Sequence, residues 1–492
     1  MTTVDPRLDD RHDPSGDDRD DDPADLPSLT DPTAWRASFA VGGPWGRHAG
    51  VNRGVWWTPV RVILAMTCFT LLLGFLQKSP CADGNWTGYK QYTHMCYSDV
   101  VPLWSDERLD TGAVPYRDTS VEYPVLTGAF MWLTADLTRG VHALHESWSE
   151  LIIFGALTAL LLGACGLFVA GATAHTAGRR PYDAAIFALS PLLVIHAFSN
   201  WDLLAMAFTS GALWAWARNK PVLAGALIGL GAAAKLYPAL LLVPLLALAW
   251  RTRRWGPAIW ATVAAACAWL TVNLPVALAY YPGWSEFYRF SFARPAERST
   301  LWAIGKTALS SSTTAALSAS DSVYWTPPGV AVAVALLVAL AFVVWAARFA
   351  PVRPRVAQLA FLTVLAFLLT TKVWSPQYSL WLVPLLALAR PQWRLSMIWQ
   401  LTEVAVWFMT LTLFVGQFSG KAATHGVPYG WLILVLLIRD ALLVVLAALV
   451  VRDIWFPEFD PVRADGTDDP GGGIYDRSPE RPRQQEPQAA VV

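Results

Sequence analysis

The chain is poor in charge and carries no net charge, which removes several classes of protein. Charged residues make up 15% of the 492 residues, below the level of about a quarter seen in soluble domains, and Lys and Arg together number 37 against 37 for Asp and Glu. Because there is no basic excess, there is no case for a nucleic-acid partner. Hydrophobic residues reach 54%, in repeated runs long enough to cross about 30 Å of hydrocarbon. The sequence therefore predicts a polytopic all-α membrane protein.

Cysteine is scarce as well, and the five cysteines have no spacing of the zinc-site type. Three of them, Cys68, Cys165 and Cys267, lie inside apolar runs, where cysteine usually serves as a small hydrophobic residue. Cys81 and Cys96 instead lie in a polar segment. If that segment faces an oxidising compartment, a disulfide between them would close a short ring and stiffen it. We expect this bridge, with two free thiols as the alternative.

The N-terminal part of the chain has no pattern typical of a cleaved signal peptide. Its first apolar run, 59–77, follows a group of arginines, so we expect an uncleaved signal anchor with the N-terminus in the cytoplasm. Residues 1–55 are acidic, and residues 452–492 are rich in Pro, Gly and charge. Neither segment has enough apolar surface to order itself, and both are predicted to be disordered and cytoplasmic.

The positions of Lys and Arg predict about 12 spans, with both termini inside. After the anchor, the expected spans are 150–174, 182–197, 200–217, 221–235, 236–250, 256–280, 328–349, 355–371, 376–390, 394–416 and 429–451. The apolar segment 121–137 is predicted to be an interfacial helix, because counting it as a span inverts every later loop. The membrane domain then covers 56–451, with large outer loops at 78–149 and 281–327. No internal repeat is expected.

Ionisable residues fall mostly on the outer side of the predicted membrane domain, and the first outer loop holds a dense set of them beside aromatics. This combination suits a lipid-linked phosphosugar, because a carboxylate can act as base, cations can hold phosphate, and aromatic faces can cover the C–H surface of a sugar. A transporter or flippase of lipid-linked saccharides is the alternative, since its site needs similar groups. Inverted repeats and broken mid-membrane helices would favour the transporter, whereas two large loops on one side favour an enzyme.

Four segments of the chain resemble actinobacterial members of glycosyltransferase family 87. They read YSDVVPLW, PYRDTSVEYPVLTG, NWDLLAMA and AGALIGLGAAAKLYPALLLVPL, within a resemblance that covers roughly residues 56–450. The resemblance implies a GT-C fold, which is polytopic and carries a catalytic carboxylate in its first outer loop. It also implies transfer of a sugar, with mannose expected, from a polyprenyl-phosphate donor to a lipid or glycan acceptor at the outer face of the cell membrane. No cofactor is implied.

Carried onto this sequence, the family's catalytic aspartate corresponds to Asp99, which follows the anchor in a YSD context. Asp99 is expected to deprotonate the acceptor hydroxyl as a general base. A solvated loop carboxylate is the alternative interpretation of Asp99, and Asp83, Asp118 and Glu122 are rivals for the catalytic role. Asp106 or Glu122 is a candidate for a second, assisting acid. No DxD pair occurs in the loop, which argues against a strict metal requirement.

Basic and aromatic residues at the outer boundary are candidates for substrate binding. Lys235 is expected to pair with the donor phosphate, although a lone cation at a helix end often only reaches towards the interface. Asp202 is expected to organise Lys235 or the acceptor, with helix capping as the alternative. The further candidates are Tyr237, Arg294, Arg298, Lys372, Trp374, Gln377 and Tyr378. For these residues, interfacial anchoring or a plain structural role is the alternative.

Overall fold

The computed structural model of the chain describes residues 57–309, 326–420, 426–463 and 470–476, together with Pro32 and Ser478. Within these residues the backbone forms α-helices joined by 3-10 helices and turns, without a β-strand. The predicted all-α class is confirmed. The predicted disordered segment 1–55 lies outside the described residues, apart from Pro32.

The α-helices, in chain order, are α1 (Pro59–Lys78), α2 (Lys90–Thr93), α3 (Val100–Asp106), α4 (Val125–Leu144), α5 (Glu150–Ala177), α6 (Ala185–Ala188), α7 (Pro191–His196), α8 (Asp202–Ala217), α9 (Pro221–Ala234), α10 (Leu242–Thr252), α11 (Trp255–Ala279), α12 (Tyr281–Ala293), α13 (Leu301–Leu309), α14 (Gly329–Phe349), α15 (Val356–Thr370), α16 (Leu382–Ala389), α17 (Trp393–Phe418) and α18 (Tyr429–Trp455). Six of these described helices, α1, α5, α11, α14, α17 and α18, are long and apolar enough to cross a membrane. The chain is therefore a multi-pass membrane protein, and the count of about 12 spans stays a prediction.

Most of the predicted spans match helices to within a few residues, but three of them are broken. The broken spans are 182–197, 236–250 and 376–390, where short 3-10 helices at Pro181–Ala184, Tyr237–Leu241 and Pro376–Trp381 lead into α6, α10 and α16. Each broken segment contains a proline after its start, and proline lacks the N–H that continues a helix. At α7, Pro191 takes the first helical position and Ser190 Oγ caps the helix by accepting from the N–H of Leu192 (3.1 Å).

Successive helices cross back and forth, so alternate junctions meet at the same end of the bundle. One end, called the site end here, holds the loop between α1 and α5, the junctions α7–α8, α9–α10 and α15–α16, and the segment after α11. These parts contact one another, for example through the N–H of Asp99 and Ser199 O (2.8 Å) and through Thr127 Oγ1 and Ala234 O (2.8 Å). The two predicted outer loops therefore lie together, while residues 310–325 of the second loop lie outside the described residues.

Helix α4 contains most of the segment 121–137 that was predicted to be interfacial. Thr127 in its first turn contacts the end of α9. Near its other end, His142 Nε2 lies 3.6 Å from the carboxylate of Glu150 at the start of α5. Both ends of α4 thus lie at the site end, which supports a helix that lies along the membrane surface.

The C-terminal segment packs across the end of the bundle opposite the site. Asp460 is fully buried and accepts a hydrogen bond from Arg355 Nε (2.8 Å). Tyr475 is also buried, and its hydroxyl donates to a main-chain carbonyl of α10 (3.0 Å). Within the described residues, parts of the segment 452–492 therefore pack against the bundle. Its composition is polar, but a few of its side chains find buried partners between the helix ends.

One eight-residue sequence occurs twice, which corrects the expectation of no internal repeat. LVPLLALA stands at 242–249 and again at 382–389. In both copies a 3-10 helix leads into the repeat, and a lysine lies just after the preceding helix, Lys235 after α9 and Lys372 after α15. The loops before the two copies differ in length, which hides the repeat from inspection.

Small residues let α9 and α11 approach closely. Gly225 and Gly229 form a G-x-x-x-G pair, and a Cβ added to either would lie 2.0 or 2.2 Å from the carbonyl oxygen of Ala261 or Ala265. A larger side chain at either glycine would force the two helices apart. This packing fixes α9 and, with it, the position of Lys235 at its end.

Candidate active site

Main-chain pairing between the first outer loop and the α7–α8 junction holds Asp99. The N–H of Asp99 donates to Ser199 O (2.8 Å), and Ser98 Oγ donates to Phe198 O (2.7 Å). The Asp99 carboxylate therefore lies against the start of α8, and the residue stays partly exposed. Asp99 is thus not a solvated loop carboxylate, although solvent or a substrate can reach it.

The segment before Asp99 is fixed from the other side. A disulfide joins Cys81 and Cys96, whose Cα atoms are 5.7 Å apart, and it closes the loop that precedes Asp99. Lys78 Nζ donates to Tyr97 O (2.8 Å) at the end of α1. Tyr97 also lies near the Asp99 carboxylate and opposes the rise in the pKa of Asp99 that burial causes.

Asn200 joins the acidic and basic parts of the site. Its Nδ2 donates to Asp99 Oδ2 (2.6 Å) and to the hydroxyl of Tyr123 (2.8 Å). Its Oδ1 accepts from the N–H of Trp201 (2.6 Å) and from Lys235 Nζ (3.4 Å). Since all four groups fix the amide, Asn200 has a single orientation, and it holds Asp99 and Lys235 at a set separation.

Lys235 forms an ion pair with Asp202 (Nζ to Oδ1, 2.6 Å), and the Asp202 side chain is 1% exposed. Trp381 Nε1 donates to the same carboxylate oxygen (2.7 Å). The ammonium also lies 4.9 Å from the ring centre of Tyr378. Trp381 is stacked between Tyr378 (4.2 Å) and Tyr237 (4.1 Å), so the junctions before both copies of the repeat meet under Lys235.

Two more cations lie at the site end: Arg294 in the predicted second outer loop, and Lys372 just after α15. Arg294 pairs with Glu297 (3.0 Å), and Glu297 Oε1 also accepts from Ser375 Oγ (3.1 Å). The N–H of Glu297 donates to Lys372 O (2.8 Å). Lys372 Nζ in turn donates to Phe292 O (2.7 Å). Arg294 and Lys372 are therefore tied to each other through the loop that connects α12 and α13.

The motif PYRDTSVEYPVLTG folds around Tyr116. The hydroxyl of Tyr116 donates to Pro124 O (2.9 Å), and a Cβ on Gly128 would lie 2.1 Å from that hydroxyl oxygen. On its other side, Tyr116 O meets Gly283 of α12, where a Cβ would also lie 2.1 Å away. A side chain at either glycine would separate these parts, so the two glycines allow the outer loops to meet beside Glu122.

Burial raises the pKa of Asp99 above the ordinary value of an aspartate. Hydrogen bonds from Asn200 and Tyr97 and the positive charge of Lys235 oppose this rise, because they favour the ionised carboxylate. A raised pKa makes the ionised carboxylate a stronger base, which suits a group that must accept a proton.

The remaining charges of the site alternate in sign. Burial raises the pKa of Glu122 and of Glu297, and the positive charge of Arg294 opposes the rise in both. Burial lowers the pKa of Lys372, and the neighbouring charge of Arg294 lowers it further. The site thus combines carboxylates with cations at close range.

Comparison with known proteins supplies the family. Residues 122–376, just over half of the chain, match glycosyltransferase family 87. The chain belongs to glycosyltransferase family 87. No curated protein matches it. Among solved structures, it is similar to ArnT from Cupriavidus metallidurans bound to undecaprenyl phosphate, at 14% identity and a TM-score of 0.43, over 85% of this chain and 77% of that chain. The functional argument rests on the family and on the site.

Membership of family 87 decides between the enzyme and the transporter interpretations. The structure has broken apolar segments, which were expected to favour a transporter, and two of the breaks, at Pro238 and Pro376, lie at the site end. Here the breaks position Lys235, Tyr378 and Trp381 beside the first outer loop. We therefore interpret them as part of a glycosyltransferase site.

Two rival carboxylates of the family 87 enzyme, Asp83 and Asp118, and the candidate assisting acid Asp106 lie away from this network, whereas the third rival, Glu122, lies beside it. Asp83 is exposed and pairs with Lys90 (3.7 Å). Asp118 pairs with Arg117 (2.8 Å), whose hydrogen bond lowers the pKa of that carboxyl to about 2. Asp106 is exposed at the end of α3. None of these three has the combination of partial burial and a neutral amide partner that Asp99 has.

Three other predicted binding residues have structural surroundings. Arg298 donates to the side chain of Gln417 in α17. Gln377 is buried in the 3-10 helix before α16. Trp374 is buried under the guanidinium of Arg439, 3.8 Å from its ring centre. The structure does not place these three side chains with Asp99 and Lys235.

Several residues of the network had no role assigned from the sequence, namely Tyr97, Tyr123, Asn200, Glu297 and Trp381. Asn200 lies two positions before Asp202 in NWD, and Tyr97 lies two positions before Asp99 in YSD. For Asn200 and Tyr97, nearness in sequence to a predicted site aspartate was the signal that could have identified them. The described ranges contain no group of three or more His, Cys, Asp or Glu side chains suited to a metal ion.

Proposed function

We propose that this family 87 enzyme transfers a hexose, with mannose as the first candidate, from a polyprenyl-phosphate donor to a lipid or glycan acceptor at the outer face of the cell membrane. The observation that carries the proposal is the network in which Asn200 links the Asp99 carboxylate to the Lys235–Asp202 ion pair. A partly exposed carboxylate beside a fixed cation suits a reaction that takes a proton from one substrate and releases a phosphate from the other.

Asp99 acts as the general base in this proposal. Its carboxylate accepts the proton of the acceptor hydroxyl while the hydroxyl oxygen attacks the anomeric carbon of the sugar. The bond between that carbon and the phosphate oxygen breaks, and polyprenyl phosphate leaves with the electron pair. Asn200 keeps the Asp99 carboxylate in one orientation, and Glu122 is the candidate for a second acid nearby.

Lys372 is the first candidate to hold the donor phosphate. Lys235 and Arg294 each face a carboxylate within 3.0 Å, so much of their charge is already compensated. Within the described residues no ion pair includes Lys372, whose Nζ donates to a main-chain carbonyl at 2.7 Å. Lys235 retains a third N–H beyond those directed at Asp202 and Asn200, and it supports the phosphate from the Asp99 side.

The aromatic stack under Lys235 is the candidate surface for the transferred sugar. Tyr378 is partly exposed and stacks on the buried Trp381, so its free face is available to the C–H surface of a hexose. Tyr237 lies on the other side of Trp381 and supports the stack.

A membrane assay tests the proposed function. Membranes from a deletion strain and from its complemented counterpart receive radiolabelled polyprenyl-phosphate-mannose, and labelled lipids and glycans are separated. We expect a labelled product that only the complemented membranes form. A product formed from another polyprenyl-phosphate sugar would correct the sugar, whereas no product from any such donor in complemented membranes would overturn the function.

A further inference from the structure

A cleft at the site end lies outside the network around Asp99. It has a volume of about 490 Å³, within the range of roughly 300–1,000 Å³ typical of small-molecule sites. The disulfide-closed loop, α3 and the start of α5 form its walls. The lining side chains that the argument uses are Trp86, Trp104, Ser105, Ser149 and Glu150.

The cleft combines an aromatic face with hydrogen-bonding groups. Trp86 is only partly buried, and its Nε1 donates to Cys81 O (3.2 Å), which fixes the plane of its ring. Ser149 precedes α5 without capping it, so its hydroxyl is not used at the helix start. The cleft also contains the carboxylate of Glu150, one oxygen of which lies 3.6 Å from His142 Nε2. A flat apolar face with hydroxyl and carboxylate groups at its edge matches a pyranose ring, which has a C–H face and a rim of hydroxyls.

The charge of the cleft favours a neutral ligand. Among the described residues that line it, none is a lysine or an arginine, and Glu150 contributes a negative charge. An anionic headgroup would meet that carboxylate without a compensating cation, which disfavours its binding. A neutral sugar instead can donate hydroxyl hydrogens to the carboxylate.

The cleft is connected to the catalytic base through two aromatic rings. The ring of Trp86 lies 5.6 Å from the ring of Tyr97, and Tyr97 lies near enough to the Asp99 carboxylate to help keep the pKa of Asp99 down. Val101 and Pro102, close in sequence to Asp99, form part of the cleft wall. A glycan whose terminal hydroxyl reaches Asp99 can therefore place a more distant sugar unit against Trp86.

We propose that the cleft binds a neutral sugar unit of the acceptor, one or more units away from the hydroxyl that receives the new sugar. This inference rests on the proposed function, and it makes the acceptor a glycan or a glycolipid rather than a simple lipid. Trp86 is the stacking platform, and Glu150 and Ser149 bind hydroxyls at its rim.

The test uses the full-length protein and has two readouts. The first is binding of mannotriose without any donor, measured by saturation-transfer NMR and titration. Trp86→Ala should weaken this binding about tenfold, while Trp86→Phe should retain most of it. Glu150→Gln should weaken it by roughly threefold, which provides a second variant that leaves the Trp86 ring in place. Trp148→Ala is the matched control, because Trp148 is 55% exposed and is not part of the cleft.

The second readout is transfer kinetics with acceptors of two lengths. Trp86→Ala should raise the KM of an oligosaccharide acceptor far more than the KM of a single-sugar acceptor, with little effect on the donor KM. The cleft proposal is overturned if mannotriose does not bind, if Trp86→Ala and Glu150→Gln bind it normally, or if a glucuronate-terminated trisaccharide binds more tightly. Failure of the function differs from this result, because the wild-type protein would then bind mannotriose without transferring any sugar.

Discussion

At the scale of single residues, Asn200 distinguishes Asp99 from the other carboxylates of the first outer loop. Asp83 and Asp118 are exposed and have cationic partners in their own loop. Asp99 instead accepts from a neutral amide that also contacts Lys235. A neutral donor orients a carboxylate and leaves its negative charge available for proton transfer.

Asn200→Ala should move the acid limb of the pH profile of transfer to higher pH. The hydrogen bond from Asn200 lowers the pKa of Asp99 against the effect of burial, so its loss raises that pKa further. The base must be ionised, and activity is lost as the pH falls through its pKa. The loss should therefore begin at a higher pH in the variant, in transfer rates measured from about pH 5 to 9.

Asn85→Ala is the control for this profile, because Asn85 is exposed in the same loop. It should leave both the rate and the acid limb in place. If Asn200→Ala lowers the rate and the limb does not move, Asn200 supports the fold without acting on Asp99.

The sequence predicted the charged members of the site better than the neutral ones. Asp99 was predicted from the resemblance to family 87. Asp202 and Lys235 were predicted because an ionisable group at a membrane boundary is costly and therefore informative. Asn200 and Tyr97 carry no such signal, since neutral polar residues are common in loops. Their roles depend on contacts between segments about 100 positions apart in the chain, as in the bond between Asn200 and Asp99, and one sequence does not contain that pairing.

At the scale of elements, apolar runs predicted most helices to within a few residues, because membrane helices need a minimum apolar length. The breaks before α10 and α16 were not predicted, although Pro238 and Pro376 mark them. A proline is compatible with a kinked helix as well as with a break, so the residue alone does not decide the outcome. Tyr237 and Trp381, one from each broken segment, stack on each other, and this contact shows that the two breaks lie side by side in the fold.

The C-terminal segment gives a stability prediction at this scale. Asp460→Ala should lower the free energy of unfolding by about 3–5 kcal/mol, because it leaves the guanidinium of Arg355 buried without its carboxylate. Thermal unfolding in detergent should show a midpoint lower by several degrees. Glu458→Ala, at an exposed position two residues away, should have little effect. Equal midpoints for both variants would contradict the buried ion pair.

At the scale of the whole molecule, the alternating direction of successive helices separates the site end from the end covered by the C-terminal segment. The basic residues at that second end include Arg251, Arg353, Arg355 and Arg390, and all four are buried. Each donates hydrogen bonds to main-chain carbonyls or to a carboxylate. Basic residues favour the cytoplasmic side. We therefore expect Asp99 and both outer loops to face the extracytoplasmic side.

Cysteine labelling in intact cells tests this orientation. In a background with Cys68, Cys165 and Cys267 replaced by alanine, Ser120→Cys and Glu458→Cys introduce single exposed thiols at the two ends. An impermeant thiol reagent should label the first and not the second, and permeabilisation should make the second reactive. Labelling of Glu458→Cys alone in intact cells would invert the orientation.

The most direct test of the central claim is the rate of sugar transfer by Asp99→Asn. This substitution keeps the shape of the side chain and removes its basic charge, so transfer should fall by about 10²–10⁴-fold while binding of the polyprenyl-phosphate donor is retained. Asp83→Asn and Asp118→Asn, which alter exposed carboxylates of the same loop, should keep most of the activity. Near-normal turnover by Asp99→Asn, in a protein that folds and binds the donor, would contradict the assignment of Asp99 as the base.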